Sequence, residues 1–199
     1  LTEYVRDKAA TLLDGIEPKG ECEFVAEFAA KLPGIILFER IFPVPLEDLP
    51  QLFDDIDVYS FGPLEERVAA FERVQAYLED FLRSRHDSAP QGDIVDGIVA
   101  GVDKNGETCP WEDRVYAALD VVFGGLATTT HAVAAAIFHL AANPDIRRDL
   151  LANPDLVDNA VEETVRLYAP VVAPARTVTR SVAIAGVQFE PGDRIALNL

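Results

Sequence analysis

Apolar residues recur at three- and four-residue spacing along most of this chain and at every second residue near its end. Residues 1–16 place Tyr4, Val5, Ala9, Leu12 and Leu13 on one helical face, with Gly15 after it. Glu23 to about Phe42 predicts a second helix, broken or kinked at Pro33-Gly34. The prolines from Pro43 to Pro50 lead into a short helix near Gln51–Tyr59, which Gly62-Pro63 ends. Leu64–Arg85 is amphipathic, with Leu64, Val68, Phe71, Val74, Leu78, Phe81 and Leu82 in one stripe. Such a helix buries one face.

After the loop Ser88–Gly92, Asp93 is the expected N-cap of a short helix over Ile94–Val102. Asp103-Lys-Asn-Gly106 signals a turn. Thr108 as capping residue, Pro110 near the first helical position and Glu112-Asp113 in the first turn then open a long helix toward Ala142. It is apolar nearly all round and is expected to be buried. Asn143-Pro144 ends it, Asn153-Pro154 separates two shorter helices, and Pro170 closes the second, Asp155–Tyr168. Beyond Pro174 the period becomes two. Arg176–Thr179, Val182–Ala185, Val187–Phe189 and Arg194–Leu199 read as strands joined by Ala185-Gly186 and Pro191-Gly192-Asp193. The fold class is mainly α with a small β portion. One domain is expected over 1–199: upstream helices over 1–107, the long helix over 108–142, short helices over 143–170, and a β region over 174–199.

The long helix contains Gly124-Gly125-Leu-Ala127-Thr128-Thr129-Thr130, roughly 3–4 kcal/mol worse as helix than alanine. Glycine lets another surface or a flat ligand approach the backbone. Threonine hydroxyls can bond back to the carbonyl one turn earlier or turn toward a ligand. Two readings follow, a tight helix crossing or a ligand site.

Composition narrows the function classes. Seventeen Lys and Arg against 34 Asp and Glu give a net charge of -17, which opposes a nucleic-acid partner. Cys22 and Cys109 have neither disulfide nor zinc spacing, and a reducing cytoplasm is the expected compartment. Val121–Phe138 is long enough to raise the question of a membrane span, but its glycines, threonines and His131 dilute it, and no membrane partner is expected. The chain has no methionine, and its last residues lie inside a strand pattern, so an internal fragment of a longer protein is expected. His131 and His139 stand eight apart, too far to share one metal, and read as ordinary helix residues. Asp54, Asp55 and Asp57 lack calcium-loop spacing.

Glu163 and Arg166, three apart on one helix, share a face and can pair. Ten residues on, Arg176 lies in Pro174-Ala-Arg-Thr-Val-Thr179, where alternation could turn its guanidinium inward toward a carboxylate. In order and spacing, Gly124-Gly125-Leu-Ala-Thr128-Thr129, Asn143-Pro144, Glu163-Thr-Val-Arg166, Arg176, and Val182–Gly186 with Pro191-Gly192-Asp193 resemble a soluble, bacterial-type cytochrome P450. The resemblance runs from about residue 108 to 199; residues 1–107 match only in helix pattern.

The resemblance implies a haem-thiolate monooxygenase that oxidises a small apolar organic substrate with O2 and electrons from a ferredoxin or flavin reductase. Its cofactor would be haem b. Gly124 and Gly125 would lie against the porphyrin. Thr128 would stand near bound oxygen, where a hydroxyl that both donates and accepts can hold a proton-delivering water. Arg176 would pair with a haem propionate, and Val171, Val172 and Ala173 would line the substrate pocket. Glu163 and Arg166 would form the family's buried, structural ion pair. Two departures stand out. Ala127 occupies a position that is often acidic, and Asp120 is about 10 Å away along the helix. The thiolate ligand has no match in Cys22 or Cys109, so it falls outside this chain, and the fragment alone is expected to be inactive. The rival readings are a catalytically degenerate P450-like domain that recruits a partner, and an unrelated helical ligand-binding protein.

Overall fold

In the computed structural model, which describes residues 1–198 with the side chain of Phe61 left aside, contacts cluster into two units, Leu1–Thr130 and His131–Leu199. The strand expected to reach Leu199 therefore ends, for its last residue, outside the described residues.

The first unit is helical. Helix α1, Thr2–Ile16, runs through Gly15 instead of stopping before it. Its tyrosine and lysine grip one carboxylate: Tyr4 Oη and Lys8 Nζ both donate to Glu39 Oε2, at 2.5 and 2.6 Å. The segment expected to break at Pro33-Gly34 is instead regular there. Helix α2, Lys31–Ile36, contains both residues, and the irregularity lies on either side as π-helical turns, Val25–Ala29 and Leu37–Ile41. Gly34 has a packing reason: a Cβ there would stand 2.7 Å from Phe53 Cζ on the next helix.

Helices α3, Leu49–Phe61, and α4, Leu64–His86, pack on each other across the Gly62-Pro63 turn. Asp55 is buried on α3 and ion-paired with Arg73 of α4 at 2.6 Å. Val74, Leu78 and Leu82, four apart, are buried as the apolar stripe requires. The first turn departs from that stripe. Leu64 and Val68 are exposed, because 23 residues of helix, about 35 Å, outrun the core that faces them.

Asp93 caps helix α5, Ile94–Ala100, by accepting the Asp96 N–H, and also pairs with the buried Arg85. Gly101 ends α5 in the left-handed region at φ +55, and a Cβ there would collide with Arg114 Nε at 2.2 Å. Arg114 is locked in that place by the Val99 and Cys109 carbonyls. Thr108 does not cap the long helix but bridges Val102 across the turn, and helix α6, Trp111–Ala142, begins directly after Pro110.

The first half of α6 buries Val115, Ala118, Leu119, Val122 and Leu126 in one core with Val74, Leu78, Leu82, Leu37, Phe38 and Phe42. Phe123 stacks on Phe71 of α4 and meets Tyr59 of α3. The expectation of a helix buried all round fails even there, since only this stripe is buried and Tyr116 stands 45% exposed. From Ile137 on, the apolar surface is open, and Phe138 is 67% exposed. Among the described residues α6 is the one helix long and apolar enough to cross a membrane, yet its first half commits that surface to a core.

The second unit takes in the end of α6, helix α7 (Pro144–Ala152), a turn at Pro154–Leu156, helix α8 (Val157–Leu167) and four strands. Strands β2, Val182–Ile184, and β3, Val187–Phe189, form a hairpin whose Ala185-Gly186 turn has φ of 48 and 81, the mirror-image turn that matches strand twist. Pro191-Gly192-Asp193 does not join a second hairpin. It bonds to Val178, and strand β4, Arg194–Ala196, pairs with β1, Ala175–Thr177, with Arg176 opposite Ile195. None of the described residues of this unit is buried, and Val157, Val161 and Val165 form an open stripe on α8.

This asymmetry predicts that Leu78→Ala costs about 3 kcal/mol in urea unfolding, whereas Val161→Ala stays within about 0.5 kcal/mol. Equal losses would show that both units carry a packed core.

Candidate functional site

Helix α6 stays hydrogen-bonded through Gly124–Thr130, with no opened turn. The Thr128 hydroxyl donates to the Gly124 carbonyl at 2.6 Å, the back-bond expected of a threonine inside a helix. That bond uses the only proton of the hydroxyl and leaves its lone pairs free to accept.

The tight-crossing reading of the glycine pair makes a checkable demand, namely that a side chain would collide with a neighbour. It does not. A Cβ on Gly124 would meet nothing within 4 Å, and one on Gly125 would touch the Leu37 methyls at 3.5 and 3.7 Å, ordinary contact. Gly34 and Gly101 in the same unit show what a packing glycine looks like, with collisions at 2.7 and 2.2 Å. The helix therefore carries two unfavourable residues that this chain's own packing does not use. A flat group lying on that flank would use them.

A cavity of about 220 Å³ opens beside the same turns, between α6, α3 and the start of α2. Leu126, Ala127 and Thr130 form its α6 wall, and Asp57 and Ser60 face it from α3. The sequence reading considers Asp57 only as a metal ligand and does not single out Ser60. The signal was there, since Phe53, Ile56, Asp57 and Ser60 have the spacing of one helical stripe. Burial, reinforced by the neighbouring Asp54, raises the Asp57 carboxyl above the ordinary aspartate range.

The other expected site residues belong to the second unit. Arg166 grips Glu163 with two bonds, Nε to Oε2 at 2.7 Å and Nη2 to Oε1 at 2.6 Å. The guanidinium holds the Glu163 carboxyl below the usual glutamate range. The pair forms as its spacing requires, but both side chains are exposed and not buried, because no described residue packs over that face of α8. Arg176 also departs from the inward orientation. Strand β1 is exposed throughout, and the Arg176 guanidinium donates to the Ala175 carbonyl beside it. Val171, Val172 and Ala173 are exposed in the loop before β1. His139 does have a role: its Nδ1 lies 3.0 Å from the Tyr168 hydroxyl at the end of α8. Cys22 is exposed and Cys109 half-buried, both as free thiols.

Comparison with known proteins decides which family uses this arrangement. The cytochrome P450 family profile matches residues 37–199. The chain belongs to the cytochrome P450 family. It is 28% identical over 205 residues to the vitamin D(3) 25-hydroxylase of Pseudonocardia autotrophica, covering 100% of this chain and 49% of that protein. It is 28% identical over 206 residues to the biotin biosynthesis cytochrome P450 of Bacillus subtilis, covering 98% of this chain and 51% of that protein. The solved structure of the cytochrome P450 PksS of the Bacillus subtilis bacillaene polyketide synthase shares the fold, with a TM-score of 0.84 at 24% identity over 98% of this chain and 51% of that one. The chain spans about half the length of the curated relatives it matches. Membership of the P450 family removes the unrelated helical ligand-binding reading.

The open flank makes a prediction for the 199-residue chain itself. Gly124→Ala should stabilise it by about 0.5–1 kcal/mol in urea unfolding, the helix-propensity gain with no steric penalty. A loss of stability would return the glycine to a packing role.

Proposed function

We propose that this chain is part of a cytoplasmic haem-thiolate monooxygenase that oxidises a small apolar organic substrate with O2, electrons coming from a ferredoxin or flavin reductase. The observation that carries the reading is the glycine pair that protein packing does not require, one turn from the back-bonded Thr128.

The residues of the first unit suit one face of a flat macrocycle. Gly124 and Gly125 leave that flank of α6 without side chains, so a planar group can approach to contact distance. Haem b, when bound, supplies the iron at which O2 is activated. Thr128 accepts a hydrogen bond from a water on the open side of its hydroxyl and so holds a proton source beside the oxygen site. Arg176 offers a guanidinium fork to a carboxylate, the geometry that suits a propionate. Val171, Val172 and Ala173 give apolar walls for the substrate. Glu163 and Arg166 brace the α8 end from which that loop departs. The thiolate is not assigned to either cysteine of this chain. The name of the Pseudonocardia relative, a hydroxylase of vitamin D(3), fits a largely apolar substrate class.

The test is made on the protein expressed over the full length of its family. Its reduced carbon monoxide complex should show the thiolate-haem signature, while residues 1–199 alone should not. Thr128→Ala in the longer protein should keep that signature and lower product formed per reductant consumed by about tenfold or more. A longer protein with no thiolate signature would overturn the monooxygenase reading and favour a degenerate, partner-recruiting domain.

A further inference from the structure

The start of α2, α3 and α6 frame a cavity of about 220 Å³ whose walls are mostly apolar. Gly124, Gly125 and Thr128 do not line it. Its aromatic wall is fixed in place, because the Phe53 ring lies over Gly34 and stands edge-on to the buried Phe38 at 5.3 Å. Ile56 and Leu126, both buried, close it from α3 and α6. An engineered apolar cavity of roughly 150 Å³ in another protein holds benzene, so this volume admits one six-membered ring with a short arm.

One carboxylate meets that apolar space. Asp57 lines the cavity from α3 and remains exposed, which puts its carboxyl at the open side. Two residues earlier, Asp55 is answered by Arg73 at 2.6 Å, but Asp57 forms no hydrogen bond or ion pair among the described residues. The charge it feels is a like one, Asp54. Lys31 also lines the cavity, yet its ammonium acts on Glu27, whose carboxyl is held below the usual glutamate range by Lys19 first and by Lys31 as well. Asp57 is left without a cation.

We propose that this cavity binds a small organic amine, its single ring held among Phe53, Ile56 and Leu126 and its protonated ammonium, on a short arm, donating to the Asp57 carboxylate and the Ser60 hydroxyl. An ammonium has three donors, and water takes the third. The ring displaces water from apolar walls, and the charge-assisted bond sets its orientation. Because Asp57 is exposed, solvent screens part of that bond, and the ring supplies the rest of the affinity. A ring bearing a carboxylate instead meets Asp57 and Asp54 and is repelled, in a chain whose net charge of -17 already disfavours anions. A neutral ring gains the apolar contact alone. The binding stands independently of the monooxygenase reading, since it uses no residue of the glycine flank.

Benzylamine, benzyl alcohol and benzoate carry one ring and differ in the charge of the arm, so together they test both halves of the site. Titrated into the 199-residue chain at neutral pH, benzylamine should move the methyl NMR signals of Ile56, Leu126 and Ala127 and bind about fivefold or more tighter than either analogue. Asp57→Asn should remove that preference and leave benzylamine and benzyl alcohol equal, while Asp57→Glu, which keeps the charge, should retain it. Ala127→Leu fills the cavity from α6 and should abolish the Ile56 and Leu126 shifts with all three probes. Ser60→Leu fills it from α3 and should do the same if Ala127→Leu fails to fold. No methyl shift with benzylamine, equal binding of benzylamine and benzyl alcohol to the unmutated chain, a preference that survives Asp57→Asn, or shifts that survive a folded filling variant would each overturn the proposal.

Discussion

The first half of α6 is held by one apolar stripe, and the rest of the structure depends on it. Val115, Ala118, Leu119, Val122 and Leu126 lock into Val74, Leu78 and Leu82 of α4 and into Leu37, Phe38 and Phe42. That contact fixes the rotation of α6 about its axis. With one side turned to the core, Gly124 and Thr128 must look elsewhere, and Ala127 and Thr130 must face α3. Functional geometry here follows from packing geometry, since residues in a helix cannot turn independently. The aromatic group of Tyr59, Phe71 and Phe123 reinforces the same setting from two further helices.

Against that fixed rotation, glycine and threonine acquire meaning by elimination. A stability-driven helix places alanine or leucine at such positions. Gly34 and Gly101 are dictated by a ring and a guanidinium that press on the backbone, whereas Gly124 is pressed by nothing in this chain. Thr128 settles its hydroxyl proton locally, so the helix tolerates it without distortion. The second unit reinforces the argument from the other direction. It carries the Glu163–Arg166 pair, Arg176 and the Val171–Ala173 loop on open surface, with no buried residue among those described. A chain half the length of its relatives is expected to leave such faces uncovered.

Much of this was legible in the sequence, because local rules govern helix stripes, caps and tight turns. Asp93, Gly62-Pro63 and Ala185-Gly186 act as their residue types require. The errors came where tertiary contacts overrule local chemistry. Pro33-Gly34 reads as a break, but the Phe53 ring makes the glycine a packing residue within a helix. Thr108 reads as a cap, but a bridge to Val102 takes it first. Pro191–Asp193 reads as a hairpin turn, but the chain returns to β1, a pairing that sequence neighbours do not reveal. At the site, α6 was readable because its residues are contiguous. The α3 wall of the cavity was not, since Asp57 and Ser60 meet α6 only through the fold.

Amide hydrogen exchange along α6 in the 199-residue chain tests the central claim most directly, that this helix is anchored by its first half and carries its glycine flank free of packing. The account predicts slow exchange from Val115 to Leu126 and fast exchange from His131 to Ala142, with the boundary near Thr128. Uniform protection across all of α6 would contradict it.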